Sequence, residues 1–291
     1  MIAHVAQSDE QRGRVVLWLG GETQDTAVDA ALRLAQAFES EIESVFIEDR
    51  QLFELAELPF AREIPLSGRG ARTMSAEALA RDMRAQASAL QRHVLSRARE
   101  ADVKAQARVV RANPVRALAD VCAENGPWNV VTVGAPVRSD NGTGYAAAGL
   151  AELFDAVHAT TGIVVAGRTA RRTSGPVIAV VEELERVVPM MRAAERIASA
   201  TGGALSLWLL EQDQTRQDWI EGQIRLALGG SPGIGFEVVD MSVHTPRSVA
   251  SLMRRAGAGF VITRFGGALT ARARDVAPFA DMLDGPLFLV R

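Results

Sequence analysis

The chain has 291 residues, 48% hydrophobic and 23% charged, an ordinary globular composition long enough for two domains. A net charge of −3 and a pI of about 5.9 give no bulk attraction to nucleic acid, and no apolar run approaches the roughly 20 residues of a membrane helix. One cysteine, Cys122, excludes an intrachain disulfide, and four scattered histidines offer no metal-ligand spacing. The N-terminal stretch lacks the apolar core of a signal peptide, so a cytoplasmic location is expected, with no membrane and no nucleic-acid partner.

Short β-rich runs alternate with longer helical patterns. "RVVLWL" (14–19) has the unbroken apolar character of a buried strand. A helix follows, with Ala27, Ala31, Leu34, Ala35 and Phe38 on one stripe. "EIESVFI" (41–47) alternates as a strand does. A helix from Ser75 to Ala101 starts at a serine cap and carries Met83, Leu90 and Val94 on one face. Then come "KAQARVVRA" (strand), "NPVRALADVCAEN" (helix, with Cys122 on its apolar side), "WNVVTVG" (strand), "AAAGLAELFDAVHAT" (helix) and "TGIVVAG" (161–167, strand). Five strands with intervening helices describe an open parallel α/β sheet.

The second half runs the same course, from "GPVIAVV" (175–181) to "GPLFLV" (285–290). The best internal match sets residues 113–134 against 245–265. In both, a capping residue precedes a proline at the first helical position, where a missing N–H costs nothing. In both, a glycine (Gly126, Gly257) ends that helix shortly before a buried strand. The chain therefore reads as a tandem duplication, with domains at 1–168 and 174–291 joined by the polar, basic "GRTARRTSG".

A five-stranded unit of this order, with a Pro-initiated third helix feeding "NVVTVG" and a last strand "TGIVVAG", resembles the universal stress protein family. The resemblance spans nearly the whole chain as two copies. It implies two tandem flavodoxin-like or nucleotide-binding α/β domains, each with a five-stranded mainly parallel sheet flanked by helices. It also implies that the last strands of the two copies meet inside one chain, giving an intramolecular pseudo-dimer.

Many members of that family bind ATP through an acidic residue after the first strand and a Gly-x2-Gly-x9-Gly-Ser/Thr loop after the fourth. Here the acidic position is Gly20 in the first half and Glu182 in the second. The first-half loop keeps Gly134, but Val137 replaces the second glycine and Ala147-Ala148 the final pair. In the second half Arg264 replaces the first glycine, Gly267 is kept, and Ala277-Pro278 end the spacing. Neither loop is intact. If ATP or another adenine nucleotide is held, the candidate residues are Gly20, Gly21, Gly134, Asn141, Gly142, Thr143 and Gly144. The other reading of the same stretch is a long connecting loop. Arg264, Arg272 and Arg274 around Gly266-Gly267 either meet a phosphate or are solvated at a helix start.

Between its second strand and helix the first half inserts "EDRQLFELAELPFAREIPLSGRG" (48–70), where the second half has only "EQDQT". Its apolar cluster suits either a lid on its own domain or a docking surface for a protein partner or a second copy. No nucleophile motif, phosphate-loop signature or placed pair of carboxylates is evident; "LGGETQDT" (19–26) only partly matches the SGGxDS turn of PP-loop enzymes. The expectation is a non-catalytic stress-related regulatory protein, with a nucleotide-binding sensor as the alternative and an enzyme or flavin carrier as a distant third.

Overall fold

Runs of Val, Ile and Leu with little alternation become strands covered on both faces by helices, as parallel strands require. The first half supplies β1 (Val15–Leu19), β2 (Ile42–Asp49), a short pair β3 (Arg62–Glu63) and β4 (Arg72–Thr73), β5 (Ala105–Ala112), β6 (Asn129–Gly134) and β7 (Thr160–Ala166). The second supplies β8 (Val177–Val181), β9 (Leu205–Glu211), β10 (Ile234–Asp240), β11 (Phe260–Arg264) and β12 (Leu287–Val290). The computed structural model describes residues 13–20, 25–64, 70–124, 128–134, 153–154, 160–182, 187–211, 213–227 and 234–290.

Ten of these strands form one sheet in the order β10-β9-β8-β11-β12-β7-β6-β1-β2-β5, while β3 and β4 form a separate antiparallel ribbon. Outward from the centre, each half repeats the same order: β7-β6-β1-β2-β5 on one side, β12-β11-β8-β9-β10 on the other. Neighbours within each half are parallel. The central pair, β7 with β12, is antiparallel, with Leu287 opposite Val165 and Val290 opposite Gly162. A side chain at Gly162 would lie 2.4 Å from the Leu289 carbonyl oxygen and from the Phe288 ring, so the seam closes only over a glycine there.

On one face lie α1 (Asp25–Phe38) and α3 (Ala76–Glu100) from the first half, with α5 (Val187–Thr201) and α6 (Gln214–Ala227) from the second. They enclose a core of Leu17, Leu34, Phe46, Val94, Ile197, Ile224 and their neighbours. On the other face α4 (Pro114–Glu124), α7 (Pro246–Arg255) and α8 (Ala273–Ala280) cover Leu118, Cys122, Trp208, Met253 and Phe279. The duplicated helix starts take the expected form. The Asn113 side chain accepts the Val115 and Arg116 amides (3.0 and 3.2 Å) ahead of Pro114, and the Thr245 hydroxyl accepts the Ser248 amide at 3.3 Å ahead of Pro246. Ser75 caps α3 through the Ala78 amide, as its sequence predicts. Of the helix expected over 146–160, Leu153 and Phe154 are helical and buried, and Thr160 instead begins β7; residues 146–152 and 155–159 lie outside the described residues.

Both faces of the central seam are bridged. α1 packs on α5 on one side, and the rings of Phe154 and Phe265 stack at 4.3 Å on the other. The basic connection between halves, which its composition suggests is a solvated linker, is instead a docked strap. The Arg168 guanidinium and amide both reach the Asp281 carboxylate (2.7–2.9 Å), and the Arg171 and Arg172 amides donate to the Asp284 carbonyl (2.7 and 3.1 Å). Ala170 is buried, and its carbonyl accepts the Thr26 hydroxyl of α1 at 2.8 Å. The Asp281 carboxylate beside Arg168 holds that guanidinium above its ordinary pKa, chiefly through the hydrogen bond.

This strap ties α1 of one half to the end of α8 of the other, so the two halves should unfold together. Scanning calorimetry is expected to give a single transition, with Asp281→Ala lowering Tm by about 2–4 °C. Two resolved transitions in the unaltered chain would show that the strap does not couple the halves.

Candidate functional site

In open parallel sheets, ligands collect at the carboxyl ends of the strands where the strand order reverses. Each half has one such point, between β1 and β6 in the first and between β8 and β11 in the second. Because β7 and β12 run antiparallel, the carboxyl ends of the two half-sheets face opposite directions.

In the first half, β1 and β6 pair from Val15–Val130 to Leu17–Thr132, which sets Gly20 and Gly134 at neighbouring strand ends. Gly20 is exposed and Gly134 half-buried. Gly21, Asn141, Gly142, Thr143 and Gly144 lie outside the described residues. Sequence reasoning passed over Trp18. Its indole Nε1 lies 3.1 Å from where a Cβ on Gly20 would stand, so the indole edge takes the space of a side chain there. A tryptophan inside "VVLWL" carries the same apolar signal as its neighbours, and nothing in that signal points to a strand end. Thr132, two residues before Gly134, has a fully buried hydroxyl with no hydrogen-bond partner.

The second half is built differently. Glu182 directly follows β8, and the Ala268 amide beyond β11 donates to both of its carboxylate oxygens, at 3.0 and 3.1 Å. Gly267 makes room for that carboxylate: a Cβ there would sit 2.3 Å from Oε2. The surrounding turn is closed by its own backbone. Phe265 donates to Val290, Gly266 to Thr270, Gly267 to Arg264 and Thr270 to Gly267, over 2.8–3.3 Å. Gly266 takes a left-handed φ of 82°, which allows this tight return. The buried Thr270 hydroxyl donates to the Arg264 carbonyl at 2.8 Å, and Leu269 is buried beneath.

This geometry does not fit a phosphate cradle. The amides of Gly266, Gly267, Ala268 and Thr270 are already given to protein acceptors, and the one side-chain acceptor among them is an anion. Of the three arginines, Arg272 and Arg274 are exposed near the start of α8, where Arg274 lies 4.0 Å from Asp275.

A second polar cluster brings Asp240, Ser242, His244 and Ser248 together after β10. It is a turn and a helix cap. The Ser248 hydroxyl donates to the Thr245 carbonyl at 2.9 Å and accepts the Thr245 amide at 2.8 Å, while His244 Nδ1 lies 3.4 Å away. Hydrogen bonds from Ser242, with a smaller contribution from His244, hold the Asp240 carboxyl below its ordinary range. Among the described residues, no group of three or more His, Cys, Asp or Glu side chains is placed to hold a metal ion. No helix there is long and apolar enough to cross a membrane.

The sequence matches no protein-family model and no curated protein. Among solved structures, the chain is similar to a universal stress protein from Archaeoglobus fulgidus, with a TM-score of 0.55 and 14% identity over 97% of each chain. It is also similar to a functionally unknown protein from Pseudomonas aeruginosa (TM-score 0.58, 12% identity, 97% of this chain and 93% of that one). A third likeness is to the cytoplasmic domain of a prokaryotic cation chloride cotransporter (TM-score 0.56, 9% identity, 96% and 95%). At these identities the likeness is one of fold: the chain has the mostly parallel, helix-flanked α/β architecture of the universal stress proteins along nearly its whole length.

If Glu182 is what holds the second turn, its loss should be felt locally and globally. Glu182→Ala is expected to speed hydrogen exchange at the Ala268 amide and to cost about 1–2 kcal/mol in urea denaturation. Glu182→Gln, which keeps one acceptor oxygen, should cost less. Unchanged exchange at Ala268 in the alanine variant would show that the turn holds itself.

Proposed function

We propose that this chain is a tandem universal stress protein, with domains 1–168 and 174–291. In this reading it acts in the cytoplasm as a stress-related regulatory or interaction protein, without catalysis and without ATP in its second half. The observation that carries this reading is the Glu182 carboxylate seated on the Ala268 amide within a turn that satisfies its own backbone. A triphosphate entering there would have to displace a tethered anion and would meet it as a like charge. The two halves then serve each other as the two subunits of a pseudo-dimer, joined by the β7–β12 seam.

Calorimetric titration of ATP into the full chain carrying Gly142→Val and Gly144→Val isolates the second half. The expected result is no binding at micromolar ATP. Micromolar affinity in that variant would place a nucleotide in the second half and overturn the reading.

A second reading, an adenine-nucleotide sensor using the first half, draws on a specific asymmetry. There the acidic position is Gly20, with the Trp18 indole edge beside it, where the second half has Glu182. Mass spectrometry of small molecules released from the purified protein separates the two. A stoichiometric adenine nucleotide, lost in the Gly142→Val/Gly144→Val variant, favours the sensor; its absence favours the interaction protein.

A further inference from the structure

The insert between β2 and α3 is anchored at its start, and its described residues 57–60 and Ile64 are exposed. α2 (Arg50–Ala56) turns Phe53 and Ala56 inward. The Arg111 guanidinium of β5 lies 3.7 Å above the Phe53 ring and is held in turn by the buried Glu48 at 2.7 Å. The β3–β4 ribbon closes the far end through Arg62–Thr73 and Glu63–Arg72. On this fixed base Leu52, Leu55, Leu58, Phe60 and Ile64 stay exposed, Phe60 by 74% and Ile64 by 75%. A lid lying on its own domain would turn these side chains inward. An apolar surface of this kind marks a contact.

The charges around it indicate what the contact is with. Arg50 pairs with Glu54 at 2.7 Å, and Arg72 pairs with Glu63. Glu57 and Arg62 are exposed and, among the described residues, have no ionic partner. They carry opposite signs and flank Leu58 and Phe60. A surface shaped for an acidic or a basic partner would present one sign. Among the described residues, the free charges Glu57 and Arg62 beside this apolar centre are complementary to themselves under a two-fold rotation, which sets Glu57 against Arg62 of the other copy, twice.

We propose that the insert is the interface through which two copies of this chain form a closed dimer. The second half crosses from β9 to α6 without such an insert, so each chain offers the surface once and the assembly stops at two. The intrachain seam between β7 and β12 takes no part.

Light scattering after size exclusion tests this on the full chain. The wild type is expected at twice 31.2 kDa, and the Leu58→Ser/Phe60→Ser/Ile64→Ser variant at 31.2 kDa with its melting temperature retained, since all three side chains are exposed. Glu57→Arg alone and Arg62→Glu alone should each dimerise at least about tenfold more weakly, because each sets like charges together twice. An equimolar mixture of those two variants should regain the dimer, since every contact is then between opposite charges. A wild type that stays monomeric up to its solubility limit overturns the proposal. So does a dimer indifferent to the serine substitutions, which would belong to another face. A mixture that fails to recover overturns the two-fold pairing of Glu57 with Arg62 and the proposal with it.

Discussion

The antiparallel register of β7 against β12 makes one molecule of two half-sheets. Each of these strands would otherwise end its half-sheet with a row of unpaired N–H and C=O groups along a short apolar strand, the kind of edge that invites foreign pairing. Joined, they bury each other at the centre of a ten-stranded sheet. β5 and β10 then remain as the outer edges, both with more exposed side chains than the central strands. The helices follow from that choice. α1 and α5 come together over the seam only because the strands beneath them are continuous, and Phe154 meets Phe265 on the opposite face for the same reason.

The same register gives the carboxyl ends of the two half-sheets opposite outlooks. In the first half the strand after which a ligand would lie ends in Gly20, with an indole edge filling in. In the second it ends in Glu182, whose carboxylate crosses to the turn beyond β11. One end carries no side chain, and the carboxylate at the other is bonded within its own half. Gly267 has no room for a side chain because that carboxylate lies against it.

Much of the architecture is legible in the residues. Strands such as "VVLWL" and "VIAVV" announce a sheet covered on both faces, and Pro114 and Pro246 mark equivalent helix starts in the two halves. Contacts that depend on partners far along the chain are not legible. Arg168, Arg171 and Arg172 read as a solvated linker because composition cannot report that Asp281 and the Asp284 carbonyl wait more than a hundred residues away. The bond from the Ala268 amide to Glu182 is not legible either, because its donor is a backbone N–H, which every residue but proline carries. The β3–β4 ribbon, two residues a side, is too short for any periodicity to reveal. Trp18 hides within an apolar run.

The docked strap has a consequence for how such a protein changes over time. In an assembly of two identical subunits every substitution is written twice, at positions related by the axis, so an alteration useful on one side is imposed on the other. Once the two units share a chain, and the strap and seam keep them together however dilute the solution, that constraint is lifted. A glycine can stand at one strand end while a glutamate stands at its counterpart, and one half alone can carry 23 residues where the other has five. Covalent linkage here gives the freedom to be asymmetric.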